Sequence, residues 1–102
     1  MDCLETLRNQ IDEIDKNLVE LFEKRMELSL QIAAYKMRNN LPILNEKRET
    51  EVIEKNLSKL KNKDFEVELI EFFKTIMHLS KQVQIRAFNE HGITIKSCGK
   101  MS

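Results

Sequence analysis

The chain has 102 residues, with 17 Lys+Arg against 17 Asp+Glu, so its formal net charge is zero with both His neutral. That length allows one domain, and the charge balance removes the usual electrostatic case for nucleic acid or an anionic membrane surface as partner. Two Gly and one Pro, among 33% charged and 41% hydrophobic residues, argue for long amphipathic helices and against a sheet-rich fold.

No apolar run approaches the roughly 18 residues that a membrane span needs. The start, Met1 to Glu5, has neither the basic residues nor the apolar stretch of a signal peptide. Cys3 and Cys98 stand near opposite ends without CxxC or Cys/His spacing. A reduced cytoplasmic protein without a metal site or disulfide framework is therefore expected.

The first predicted element is a very long helix. Leu4, Leu7, Ile11, Ile14, Leu18, Leu21, Leu28, Ile32 and Tyr35 follow spacings of three and four, the seam of a coiled coil. Asn39-Asn40-Leu41-Pro42 stops it. About 36 residues of helix would measure roughly 54 Å, against a radius of gyration of about 13 Å for a compact domain of 100 residues. The remaining chain cannot cover such a rod at both ends, which predicts a partner chain.

Asn45 is placed to cap a second helix with the stripe Val52, Ile53, Leu57 and Leu60, ending near Lys61-Asn62-Lys63. Asp64 is placed to cap a third, with the stripe Phe65, Leu69, Phe72, Phe73, Ile76, Val83, Ala87 and Phe88, ended by Gly92. The expected fold is thus all-α, three helices in one domain over residues 1–91. A flexible tail is expected over 92–102.

Each stripe is interrupted by polar residues. Arg25 takes a seam position between Leu21 and Leu28, and Lys36 falls near the same line three turns on. An unpaired buried charge costs several kcal/mol, so a seam Arg must be paired or line a polar cavity. Arg8 borders the seam 17 residues earlier, about 25 Å away along one rigid helix. Two such helices packed antiparallel bring Arg8 of one beside Arg25 of the other, and two-fold symmetry then yields two equivalent basic pockets. On the second helix Asn45, Arg48 and Glu49 continue the inward stripe, and on the third Ser80 and Gln84 do. Together these groups suit a small dianion held inside a bundle. Taken singly, Arg48, Lys36 or Ser80 is more often a solvated or snorkelling side chain than a ligand contact, and a lone polar seam residue also fixes coiled-coil register. By pattern, a ligand-binding bundle and a plain dimerisation or regulatory module both stay open.

The order and spacing of these elements resemble the small all-helical chorismate mutases of the AroQ class over about residues 4–88. The match is carried by Leu4-Glu5-Thr6-Leu7-Arg8, Ile11-Asp12-Glu13-Ile14-Asp15, Leu18 through Arg25, Lys36, the stretch from Pro42 to Glu49, and Ser80 with Gln84. The resemblance implies an intertwined antiparallel homodimer without a cofactor. It implies conversion of chorismate to prephenate on the route to phenylalanine and tyrosine. By the same carry-over, Arg8 of the partner and Arg25 hold the substrate carboxylates, and Lys36 and Gln84 donate to the ether oxygen. Glu49 accepts from the ring hydroxyl, with Arg48 and Ser80 at the carboxylate end. Asn45 stands where many relatives have Asp, as a substrate-side contact. Relatives on this scaffold also include isochorismate pyruvate-lyases, the alternative enzyme reading.

Overall fold

The computed structural model describes the backbone of residues 3–100 and the side chains of residues 3–89. Three α-helices follow one another: α1 (Cys3–Arg38), α2 (Glu46–Leu57) and α3 (Glu66–Lys100), with a single 3-10 turn at Lys63–Phe65 before α3. Helix α3 packs along α1, and α2 packs on α3. The third helix is thus the shared wall against which the other two are set.

The stop after α1 is built as the sequence suggests, with added detail. Asn40 takes the left-handed conformation at φ 56°, which a short amide side chain tolerates better than most residues. Leu41 N–H then donates to the Lys36 carbonyl at 2.8 Å and Asn40 N–H to the Met37 carbonyl at 3.4 Å, closing the helix with a Schellman arrangement. The Asn45 side chain caps α2 by accepting from the Arg48 N–H at 3.1 Å.

Three boundaries differ from expectation. Helix α2 ends at Leu57 rather than near Lys61, because Ser58 Oγ bonds the Lys55 carbonyl at 2.6 Å and Lys63 Nζ bonds the Leu57 carbonyl at 2.9 Å, satisfying the last turn. Asn62, not Asp64, supplies the cap before α3, its side chain accepting from Asp64 N–H at 3.0 Å. Gly92 does not end α3, whose backbone runs on to Lys100. One Gly costs a helix about 1 kcal/mol relative to Ala but does not break it without a following Pro or a cap. The expected flexibility of residues 92–102 concerns side chains, and at 101–102 also backbone, that lie outside the described residues.

The core is small. Met26, Ala33, Ala34, Val52 and Ala87 are buried, together with the polar Ser29, Ser80 and Gln84. Alanines 33, 34 and 87 let α1 and α3 approach closely, with Leu30, Met37 and Phe88 flanking Ala34 and Ala87. The buried face of α1 therefore runs through Met26, Ser29 and Ala33, turned roughly 100° around the helix from the heptad seam. The seam itself stays open: Leu4, Leu7, Ile11, Ile14, Leu18 and Leu21 are each 46–61% exposed. With a radius of gyration of 17.3 Å and a longest dimension of 55 Å, the chain is extended beside the about 13 Å of a compact domain this size.

Candidate active site

Three polar groups meet where α1 crosses α3. The Arg25 guanidinium donates to Ser80 Oγ at 3.0 Å, and Ser29 Oγ donates to the same oxygen at 3.2 Å. Ser80 in turn directs its hydroxyl toward Met26 Sδ at 3.7 Å. One O–H and two lone pairs are all that a serine hydroxyl has, so Ser80 is saturated and its orientation is fixed. One turn on, Gln84 Nε2 donates to the Ser29 carbonyl at 2.8 Å. Its second amide N–H is not needed for that bond. Among the described residues no buried side-chain N or O atom lacks a partner.

The electrostatics are uneven. The pKa of Arg25 is lowered, first by burial and second by the positive charge of Arg48 on α2. Among the described residues no carboxylate pairs with Arg25; Arg48 reaches Glu51 at 3.9 Å with both side chains largely in water. Two guanidinium groups from separate helices thus lie within electrostatic reach of each other, and an anion between them would relieve both.

The remaining predicted residues are placed as follows. Lys36 is half-buried and donates from Nζ to the Ile43 carbonyl at 2.9 Å. It holds the loop between α1 and α2, with two further ammonium protons in hand. The Asn45 side-chain oxygen is engaged in the α2 cap. Glu49, half-buried in the first turn of α2, pairs through Oε2 with Lys81 Nζ of α3 at 3.0 Å. Arg8 is exposed on the projecting half of α1 and, about 25 Å from Arg25, is not brought to the cluster within one chain.

Two participants have no counterpart in the sequence reading. Ser29 lies one turn after Arg25 on the same side of α1, and a second polar residue at that spacing is the signal that marks it. Lys81 carries no such signal, being one lysine among many. Two grooves open beside these groups. One of ≈ 590 Å³ is lined by Leu18, Leu21, Phe22, Phe72, Phe73, Thr75, Ile76 and Leu79, with Arg25 in its wall. The other, ≈ 340 Å³ between α2 and α3, is lined by Glu46, Glu49, Thr50, Ile53, Lys74, Met77, His78 and Lys81. Among the described residues no three His, Cys, Asp or Glu side chains converge to hold a metal ion, and no helix is long and apolar enough to cross a membrane.

Residues 7–85 match the family model described as chorismate mutase type II. The chain belongs to the chorismate mutase type II family. The matched segment contains every candidate residue from Arg8 to Gln84 and stops short of the last turns of α3. This family member is similar to a bifunctional chorismate mutase/prephenate dehydratase of Buchnera aphidicola (subsp. Baizongia pistaciae), 44% identical over 64 residues, 63% of this chain and 17% of that protein. It is similar also to a T-protein of Haemophilus influenzae, 34% identical over 71 residues, 70% of this chain and 19% of that protein. A bifunctional chorismate mutase/prephenate dehydratase of Aquifex aeolicus is 40% identical over 57 residues, 56% of this chain and 16% of that protein. The chain spans under a fifth of the length of these relatives. No solved structure gives a significant match.

Proposed function

We propose that this chain is a chorismate mutase that rearranges chorismate to prephenate, working in the cytoplasm as an antiparallel homodimer with two shared sites. The observation that carries the proposal is Arg25, bonded to Ser80, partly desolvated and within electrostatic reach of a second cation, Arg48, with no carboxylate paired to it among the described residues. A dianionic substrate supplies the missing charge, and the planar fork of Arg suits its carboxylates. A plain dimerisation module has no use for such a cluster. Family membership and relatives that carry chorismate mutase in their names support the same assignment.

The rearrangement is pericyclic, with one carbon–oxygen bond breaking as a carbon–carbon bond forms, and it needs no nucleophile or proton relay. Two contributions then remain. Arg8 of the partner and Arg25 hold the two carboxylates so that the enolpyruvyl arm lies over the ring, a positioning effect. Lys36 and Gln84 donate to the ether oxygen as negative charge grows there, a type of contact typically worth about 2.7–4 kcal/mol. Arg48 adds charge at the carboxylate end. Ser80, saturated by its own neighbours, aims Arg25. Glu49 accepts from the ring hydroxyl, which favours the mutase over the isochorismate pyruvate-lyase reaction.

The dimer follows from what one chain leaves open. Six large apolar side chains of the seam, Leu4 through Leu21, stand about half in water, and the apolar groove ending at Arg25 adjoins them. A second α1 laid antiparallel along this face buries both and brings its Arg8 to Arg25. The test is direct. Purified protein without added cofactor should deplete chorismate and form prephenate, with isochorismate assayed alongside. Unchanged chorismate at micromolar protein overturns the proposal.

A further inference from the structure

We propose that Lys81, which none of the site residues implied by the family resemblance includes, is a positioning residue for the chorismate rearrangement, acting through Glu49. This rests on the mutase function proposed above. Of the ion pairs joining the described side chains, Glu49–Lys81 is the tighter, at 3.0 Å with both side chains 31% exposed, against 3.9 Å at 60% and 53% for Arg48–Glu51. It also links different helices, joining the first turn of α2, across the groove between α2 and α3, to the turn of α3 that carries Ser80 and Gln84. An acid beside a dianion site is electrostatically costly. The ammonium offsets that cost, so that the cationic surplus of Arg25 and Arg48 is not reduced by Glu49. The contact uses one oxygen, Oε2, which leaves the carboxylate able to accept a ring hydroxyl. A glutamate without a partner must also be ordered when substrate arrives, with loss of rotamer freedom. Lys81 orders it beforehand.

The experiment measures kcat and KM for chorismate in the wild type, Lys81→Met, Lys81→Arg, Glu49→Gln and the double variant Glu49→Gln/Lys81→Met, with thermal melting of each. Lys81→Met should lower kcat/KM about five- to tenfold, the scale of coupling between contacting groups. Lys81→Arg should recover most of the loss. In the Glu49→Gln background the same Lys81→Met change should have little further effect, because the group it positions is gone. Should Lys81→Met melt too low to assay, Lys81→Gln serves in the same cycle. Wild-type kinetics in Lys81→Met, or an equal loss in both backgrounds, overturns the proposal while leaving the mutase function standing. A wild-type chain inert toward chorismate overturns both.

Discussion

The Arg25 guanidinium donates to the Ser80 hydroxyl at 3.0 Å across 55 residues of sequence, and this bond ties a charge on the open seam of α1 to the buried face of α3. Ser29 and Met26 hold the same hydroxyl. The guanidinium is therefore aimed by a network that is complete before any ligand arrives, which is the condition for electrostatic preorganisation.

Removing that charge separates stability from activity. Lowered pKa means that the folded chain holds the Arg25 proton less tightly than the unfolded chain, so the positive charge opposes folding throughout the neutral range. Arg25→Met should therefore melt no lower than wild type, or higher by on the order of a few °C. Chorismate turnover should fall at least about 100-fold. A large drop in melting temperature would mean that the cation is structural.

Relief of the same strain should be visible as ligand binding. A dianionic mimic of the bicyclic transition state at 100 times its dissociation constant should add about 2.7 kcal/mol to unfolding. The gain should shrink as salt rises, since screening weakens partly exposed pairs, and should vanish in Arg25→Met. Differential scanning fluorimetry at two salt concentrations checks both.

The proposed sharing of the site between two subunits predicts a complementation signature. Arg8→Ala and Arg25→Ala dimers, each inactive, should regain part of the wild-type activity after subunit exchange, because one pocket of each mixed dimer collects both changes and the other is intact. No recovery with exchange proven by mass would place Arg8 in its own subunit's site.

Ile11 is 56% exposed on the projecting half of α1. Ile11→Lys should leave the helix content of the chain unchanged but halve the mass seen in sedimentation and abolish turnover. If mass and activity both persist, the seam is not the interface.

Ala33 is fully buried where α1 meets α3. Ala33→Leu should cost about 1–3 kcal/mol by overpacking, measured by urea unfolding, and should depress activity by displacing Ser29, one turn earlier on α1, and through it Ser80.

Much of this was open to inspection in the sequence because it depends on local spacing. The length of α1, its stop at Asn39-Asn40, the Asn45 cap and the polar breaks at Arg25, Ser80 and Gln84 follow from helix periodicity and from residues no more than a few positions apart. The end of α2 and the cap before α3 are not legible in periodicity because they turn on single side chains: Ser58 on the Lys55 carbonyl, Lys63 on the Leu57 carbonyl and Asn62 on the Asp64 amide.

Tertiary structure decided the rest. The heptad repeat marks the apolar seam of α1 but not which face the chain uses on itself; that is the small-residue face through Met26, Ser29 and Ala33, because close helix packing rewards small side chains as much as large ones. Likewise, nothing local joins Glu49 to Lys81, which meet where α2 docks on α3, or brings Arg48 within electrostatic reach of Arg25, which happens because α1 and α2 both pack on α3. Periodicity is a property of one helix, whereas the charge of a site is the sum of what several helices deliver to one place.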